Sequence, residues 1–181
     1  MINVTYEPRE YWDRRQPLIR EAARKAHGAQ QAALLEAFGS IQVDSILEVG
    51  VGTGRIGSLV CERWPNATYT GIDISPTRIV EARANLPERA QLVEADLLDY
   101  EPQRTFDLVL AVEVLMHVRP ADLPAAVANL LSWSGRHVFT VDWTEPITKA
   151  TQPHNFLHDY AALGLTPATV VGRQSIHHTE A

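Results

Sequence analysis

Apolar residues recur along this chain with two different periods, and each period predicts a different kind of element. From about Pro8 to Phe38 they follow the spacing of three to four residues that is typical of an amphipathic helix, and Gly39 stands where such a helix would stop. This first part of the chain is therefore predicted to form one or two helices.

After residue 40, short apolar runs alternate with helical patterns. The runs predicted to form strands are SILEVG, ATYTGIDI, AQLVEADLL, FDLVLAVEV and RHVFTVDW. Helices are predicted over residues 54–64, 76–85, 122–131 and 154–164. Ser75 and Pro76 suit the N-cap and the first position of the second of these helices. The tail LTPATVVGRQSIHH predicts one more strand or two short ones.

This alternation predicts an α/β fold, a doubly wound, Rossmann-like and mostly parallel sheet with helices on both faces and right-handed crossovers. A chain of 181 residues suits a single domain. We expect residues 1–40 to form an N-terminal helical cap region and residues 41–181 to form the Rossmann-like core.

Composition excludes some classes of protein. Hydrophobic residues make up 45% of the chain and charged residues 21%, which are ordinary values for a globular domain. The net charge of −6 disfavours binding to a phosphate backbone, so we expect a small-molecule substrate and no nucleic acid. The single cysteine, Cys61, allows no disulfide framework within one chain.

The first residues carry charge and lack the apolar run of a secretory signal, and no segment approaches 18 consecutive apolar residues. The sequence therefore predicts a cytoplasmic protein without a membrane partner. It does not indicate the oligomeric state.

Two overlapping glycine patterns occupy the stretch ILEVGVGTGRIGSLV. From Gly52 the pattern is G-x-G-x-x-G through Gly54 and Gly57, the fingerprint of a dinucleotide-binding loop. From Glu48 it is E-x-G-x-G-x-G. In a doubly wound sheet both versions would bind a ligand at the carboxyl end of the first strand, where free backbone N–H groups suit an anion.

Three acidic residues bear on the choice between these patterns. Glu48 would repel a pyrophosphate but attract an ammonium group, directly or through water, which favours an amino acid moiety. Asp73, 21 residues past Gly52, suits the hydroxyls of an adenosine ribose under both interpretations. Asp96 could accept from an adenine amino group, a contact that the dinucleotide interpretation does not use. Alternatively, Asp73 and Asp96 are turn formers or helix caps, and Glu48 is paired with Arg55.

Four motifs, in their order and spacing, resemble those of class I S-adenosylmethionine-dependent methyltransferases: ILEVGVGTG, GIDIS, EADLLD and FDLVLAVEVLMHV. The resemblance covers roughly Ser45 to Val141. It implies that S-adenosylmethionine is the cofactor and that its methionine part is cradled by four residues of the first motif, Glu48, Gly50, Gly52 and Gly54.

The resemblance also implies contacts to the rest of the cofactor. Asp73 would hold the ribose and Ile74 would pack on the adenine. Asp96 and Leu97 would flank the adenine edge.

At the end of the fourth strand, Val112 and Glu113 would line the cofactor near its reactive methyl group, again by resemblance. Methyl transfer from a sulfonium needs chiefly an in-line, closely held nucleophile. A base helps where the acceptor is a hydroxyl or a protonated amine, and His117 is the candidate. The alternative is that His117 caps or packs the loop before Arg119.

The substrate side has less specific signals. Tyr11 and Trp12 could close over the cofactor as a lid, or they are ordinary helix-packing aromatics. Trp143 leaves the fifth strand at the ligand edge, and His154 and His158 would share one face of the predicted helix. Their spacing lacks the glutamate of an H-E-x-x-H motif, so no metal site is predicted.

These features together predict a methyltransferase that moves the methyl group of S-adenosylmethionine to an oxygen or nitrogen nucleophile of a small molecule. A nicotinamide-dependent oxidoreductase and a non-catalytic S-adenosylmethionine-binding subunit are the alternatives. Neither the N-terminal region nor the chain beyond about Trp143 carries a motif that identifies the substrate.

Overall fold

The computed structural model describes residues 6–14, 21–143 and 154–180, of which 21–26 are described by their backbone alone. The strands are β1 (Ser45–Val49), β2 (Thr68–Asp73), β3 (Gln91–Glu94), β4 (Phe106–Val112), β5 (Ser134–Trp143), β6 (Pro167–Val171) and β7 (Gln174–Glu180). The helices are α1 (Pro8–Arg14), α2 (Glu21–Phe38), α3 (Arg55–Arg63), α4 (Pro76–Asn85) and α5 (Leu123–Trp133). Short 3₁₀ turns span Leu115–His117 and Ala161–Leu163.

All seven strands form one sheet in the order β3-β2-β1-β4-β5-β7-β6. Strands β1 to β5 are parallel to one another, whereas β7 is antiparallel to β5 and to β6. The predicted fold class is confirmed. The tail forms two strands, joined at Gly172, whose positive φ of 62° suits a tight turn.

The sheet has an apolar core on each face, as the unbroken apolar run of β4 predicts. Leu108 and Leu110 pack on one face with α2 and α3. Val109 and Ala111 pack on the other face with α5. Burial on both faces fixes β4 at the centre of the sheet, so its carboxyl end opens where a doubly wound fold binds its ligand.

The predicted helix over residues 154–164 is wrong. Residues 154–160 have no regular structure, and only Ala161–Leu163 form a single 3₁₀ turn before Gly164. The segment bonds across to another part of the chain instead: the amide of Phe156 donates to the carbonyl of Met116 at 2.8 Å. An amide that donates to Met116 cannot also make the bond to the carbonyl four residues earlier that a helix requires.

The other elements lie close to their predicted positions. The N-terminal pattern gives two helices, α1 and α2, and residues 15–20 between them lie outside the described ranges. Ser75 caps α4 as expected, since its hydroxyl accepts from the amide of Arg78. Within the described ranges, no helix is long and apolar enough to cross a membrane.

Candidate active site

A cavity of about 1220 Å³ opens at the carboxyl edge of the parallel strands. Its wall includes most of the residues that the sequence selected: Tyr11, Trp12, Glu48, Gly50, Gly52, Asp73, Ile74, Asp96, Leu97, Val112, Glu113 and His117. These residues come from the ends of β1, β2, β3 and β4 and from α1, so the fold brings them together from distant parts of the chain.

The glycines after β1 shape the floor of the cavity. Gly50 and Gly52 have positive φ values of 71° and 54°, a conformation that other residues rarely adopt. A Cβ atom at Gly50 would lie 2.5 Å from Cγ2 of Val114. The amide of Gly52 donates to Asp73 Oδ2 at 2.8 Å, which ties the loop to the end of β2.

Two further glycines of this segment serve packing rather than the cavity wall. A Cβ atom at Gly57 would lie 2.5 Å from the hydroxyl of Tyr69, so Gly57 makes room for the hydrogen bond that this hydroxyl donates to Glu48. Gly54 is the N-cap of α3, with a φ of 83°, and a Cβ atom there would lie 3.0 Å from Cγ of Leu86. The packing of Tyr69 thus explains why a glycine is needed at Gly57, the third glycine of G-x-G-x-x-G, without a bound dinucleotide.

Glu48 is almost fully buried at the end of β1, with 2% of its surface exposed. Tyr69 donates to its Oε2 at 2.6 Å. Burial raises the pKa of the Glu48 carboxyl to about 8, although the Tyr69 hydrogen bond and the charge of Arg55 act in the opposite direction. Among the described residues the ion pair of Arg55 is with Glu113, at 3.8 Å, and not with Glu48.

Asp73 and Asp96 both lie on the cavity wall and both also stabilise turns. Asp73 accepts from the amides of Gly52 and Ser75, the second at 3.0 Å, and burial raises the pKa of its carboxyl. Asp96 Oδ1 accepts from the amide of Leu98 at 2.9 Å. An ionised carboxylate has about four acceptor positions, so a turn contact and a ligand contact are compatible.

Glu113, directly after β4, has a positive φ of 58°, and no other non-glycine residue in the described ranges does. Such strain persists where surrounding contacts hold it, often at functional sites. Gln174 Nε2 donates to Glu113 Oε1 at 2.5 Å, and Gln30 Nε2 donates to Gln174 Oε1 at 2.9 Å. Gln30 and Gln174 could not be recognised from the sequence, because they lie on α2 and β7, far along the chain from β4.

His117 ends the 3₁₀ turn Leu115–His117, here called the His117 turn, and its ring lines the cavity. Its Nδ1 lies 3.0 Å from the carbonyl oxygen of His154. A carbonyl can only accept, so Nδ1 carries the proton, and in the neutral ring the lone pair is on Nε2. The ring of Trp12 meets it edge to face, with 4.6 Å between the ring centroids.

Asp142 and His158, which lie behind the cavity, hold the His117 turn. Asp142, with no exposed surface, accepts from the amide of Met116 at 3.1 Å. His158 Nε2 lies 3.1 Å from the carbonyl oxygens of Leu115 and Val118 and donates to them. Burial raises the pKa of the Asp142 carboxyl to about 7. No sequence pattern indicates this role of Asp142, since the contact joins β5 to the turn after β4.

Helix α1 lies over the cavity and is fixed on two sides. Asp13 accepts from the Thr77 hydroxyl at 2.6 Å at the start of α4, and Arg9 pairs with Glu94 at the end of β3. On the other side, the Tyr11 hydroxyl lies 3.0 Å from His154 Nε2.

Three predicted substrate residues do not appear on the described cavity wall: Trp143, His154 and His158. His154 is buried under Tyr11, and His158 holds the His117 turn from behind. Trp143 pairs with Gln174 at the end of β5, next to residues outside the described ranges. Because the predicted helix is absent, His154 and His158 do not share a helix face.

A family model described as a methyltransferase domain matches residues 46–135. Trans-aconitate 2-methyltransferase of Escherichia coli O157:H7 is 45% identical over 69 residues, 38% of this chain and 27% of that protein. Its counterpart in Shigella flexneri is 44% identical over 69 residues, with the same coverage. The aligned part of the chain thus spans about a quarter of the length of these curated relatives.

Solved structures share the fold over most of the chain. Magnesium protoporphyrin IX methyltransferase from Synechocystis PCC 6803, with bound SAH, has a TM-score of 0.72 at 16% identity and covers 95% of this chain and 96% of that one. N-methyltransferase NodS from Bradyrhizobium japonicum WM9, in complex with S-adenosyl-L-homocysteine, has a TM-score of 0.70 at 18% identity and covers 86% and 87%. Residues 46–135 therefore match a methyltransferase domain, in agreement with the class I S-adenosylmethionine-dependent methyltransferases that the sequence motifs resemble, and the described fold is that of these solved methyltransferases.

Proposed function

We propose that this protein transfers the methyl group of S-adenosylmethionine to an oxygen or nitrogen nucleophile of a small molecule. The observation that carries the proposal is the cavity at the carboxyl edge of the sheet, which joins the glycine loop, His117 and the predicted acidic residues Glu48, Asp73, Asp96 and Glu113. Its volume of about 1220 Å³ exceeds the range of about 300–1,000 Å³ usual for a pocket with one ligand. An acceptor therefore has room beside the cofactor.

The described contacts support one orientation of the cofactor. Its ammonium group would lie near Glu48, and its methionine part would follow the backbone of Gly50 and Gly52. The ribose hydroxyls would donate to Asp73, and the adenine would lie between Ile74 and the segment of Asp96 and Leu97. This orientation points the methyl group toward Val112, Glu113 and the His117 turn.

His117 is proposed as the base. Its Nδ1 proton is held by the carbonyl of His154, so Nε2 can take the proton of an acceptor hydroxyl or ammonium group. When bound, S-adenosylmethionine would supply an activated methyl group on its sulfonium, whose sulfur–carbon bond would break as the acceptor bonds to the methyl carbon. Nε2 of His117 would hold the proton that the acceptor releases.

The substrate class is proposed as a small molecule. The curated relatives are named for trans-aconitate and one structural neighbour for magnesium protoporphyrin IX, both small acceptors. The net charge of −6 supports the same class, because a nucleic-acid substrate would favour a basic surface. Tyr11 and Trp12 on α1 are proposed to cover the bound reactants.

Calorimetry with S-adenosylmethionine and with NAD⁺ tests the cofactor assignment. We expect the methyl donor to bind in the micromolar range usual for a cofactor site and NAD⁺ not to compete, because the buried Glu48 can ionise against the ammonium group of the methyl donor, a group that NAD⁺ lacks. A screen of small-molecule pools, measured by S-adenosylhomocysteine formation, then identifies the acceptor. Tight NAD⁺ binding without methyl-donor binding would contradict the proposal.

A further inference from the structure

Three potential metal ligands lie together on one face of the antiparallel pair β5 and β7. His137 on β5 is the register partner of Glu180 on β7, and His178 precedes Glu180 by two residues. Alternate residues of a strand share a face, so the three side chains point the same way. One nitrogen of each ring and a carboxylate oxygen all lie within 4.8 Å of one another.

The two rings are held in place before any metal arrives. The His178 ring stacks on Phe139, with 4.1 Å between centroids and 12° between planes. Phe139 in turn packs against Phe38 of α2 in the apolar core. His137 is 8% exposed, so its ring has little freedom to turn away. A preorganised pair of ligands loses less entropy when it binds an ion.

The separation of the two nitrogens suits a tetrahedral ion. His137 Nδ1 and His178 Nε2 are 3.2 Å apart. Two nitrogens at about 2.0–2.1 Å from zinc in a tetrahedral arrangement are about 3.3–3.4 Å apart. Glu180 is exposed at the end of β7 and has three rotatable bonds, so its carboxylate can approach without a change of the backbone.

We propose that His137, His178 and Glu180 bind a zinc ion, with water in the fourth position. Imidazole nitrogens suit zinc and its transition-metal neighbours, whereas magnesium and calcium prefer oxygen ligands. The negative charge of the Glu180 carboxylate would offset part of the positive charge of the zinc ion. An imidazole with an ordinary pKa of about 6.5 is mostly neutral above pH 7, the form that binds a metal.

The position of this site indicates a structural role. His137 lies beside Leu108 near the start of β4, whereas the cavity lies at the opposite end of that strand, at Val112 and Glu113. A metal here would clip β7 to β5 and secure the final hairpin, away from methyl transfer. No local motif in the sequence indicates this site, because His137 lies some forty residues before the other two ligands.

Titration calorimetry of the metal-free protein with zinc chloride tests the proposal. We expect one zinc per chain with a dissociation constant of about 10 µM or tighter, and a rise in Tm when zinc is added. His137→Ala and His178→Ala should each weaken zinc binding by about tenfold or more, since each removes one of three ligands. His177→Gln is the matched control, because His177 lies on the opposite face of β7, and it should bind zinc like the wild type.

Glu180→Gln tests the same site without disturbing the core, because the side chain is exposed. It should weaken zinc binding, and all the variants should keep the wild-type affinity for S-adenosylmethionine. Absence of zinc binding, or wild-type zinc affinity in the His178→Ala or Glu180→Gln variant, would overturn the proposed site. None of these outcomes depends on whether the protein transfers methyl groups.

Discussion

The Glu48 carboxyl is expected to have different protonation states in the ligand-free and the cofactor-bound protein. Its carboxyl is buried against Tyr69, and its pKa of about 8 means that it is largely protonated at neutral pH. A cationic ammonium group nearby would favour the ionised form. Binding of the methyl donor is therefore expected to release a proton near neutral pH.

Glu48→Gln tests this coupling. The amide keeps the size of the side chain and an acceptor for Tyr69 but cannot ionise, so S-adenosylmethionine should bind about tenfold or more weakly, the effect of losing a contact between charged groups. Calorimetry in buffers of different ionisation enthalpy should show proton release for the wild type and less for the variant. Equal affinities for the two proteins would remove Glu48 from the cofactor site.

Asp73→Ala should weaken the cofactor by about 1.5–3 kcal/mol, the usual effect of losing a hydrogen bond to a charged group. Asp73 also holds the amides of Gly52 and Ser75, so the alanine variant combines two losses. Asp73→Asn separates them, because its amide oxygen still accepts from one of these amides. An unchanged dissociation constant in the alanine variant, measured by calorimetry, would move the ribose site elsewhere.

His117→Ala should lower kcat by about 10²-fold or more while the affinity for S-adenosylmethionine stays nearly the same, if the acceptor is a hydroxyl or a protonated amine. The reason is that a base acts in the transition state and not in cofactor binding. Steady-state kinetics and calorimetry on the same preparation separate the two effects. A loss below about tenfold would show that positioning alone accounts for catalysis.

At the scale of elements, the sequence predicted what depends on local pattern. The five parallel strands, the capped start of α4 and the glycine loop follow from periodicity and from residues with strong backbone preferences. The segment after His154 was predicted wrongly, because its backbone and side chains bond to the His117 turn instead of to one another. No local pattern encodes such a partner.

The same limit applies to the active site. The gathering of the strand-end residues around one cavity was predictable, since the fold places all the carboxyl ends of the parallel strands at one edge. Gln30 and Asp142 were not, because each acts on a residue of a distant element. The network from Gln30 through Gln174 to Glu113 joins three elements that are adjacent only in the folded chain.

Asp142 offers a prediction for the His117 turn as an element. Asp142→Ala removes the acceptor of the Met116 amide, so the turn should loosen, and kcat should fall with little change in cofactor affinity. Asp142→Asn should restore most of the activity, since its amide oxygen can accept from the same amide. Loss of activity in the asparagine variant equal to that in the alanine variant would argue against a positioning role.

At the scale of the whole molecule, the two proposed sites lie at opposite ends of the strands. The cavity lies at the carboxyl edge of the sheet and the histidine pair near its amino edge. The central strands are packed on both faces, and the described residues of one site do not contact those of the other. Separate variants of the two sites should therefore have additive effects on stability.

Two buried acids should make the ligand-free protein less stable as the pH rises. The pKa of Glu48 is raised from 4.5 to about 8, and that of Asp142 from 3.8 to about 7. At a pH between the ordinary pKa and the raised pKa of each acid, the carboxyl is ionised in the unfolded chain and still protonated in the folded protein. The free energy of unfolding should thus fall through this range, with a limiting slope of about 1.4 kcal/mol per pH unit for each group.

Several histidines act in the opposite direction, since burial lowers their pKa below 6.5: His27, His137, His158, His177 and His178. Their contribution to stability is lost as the pH falls below 6.5, because the unfolded chain then binds protons that the folded protein does not. The histidines therefore oppose the effect of the two acids below pH 6.5, whereas above pH 6.5 the decline caused by the acids remains. Urea unfolding from pH 5 to 9 should show this decline between about pH 6.5 and 8. In the double variant Glu48→Gln/Asp142→Asn, the decline of the unfolding free energy above pH 6.5 should largely disappear. The loss of stability on acidification, which comes from the histidines, should remain. An unchanged decline above pH 6.5 would show that other groups cause it.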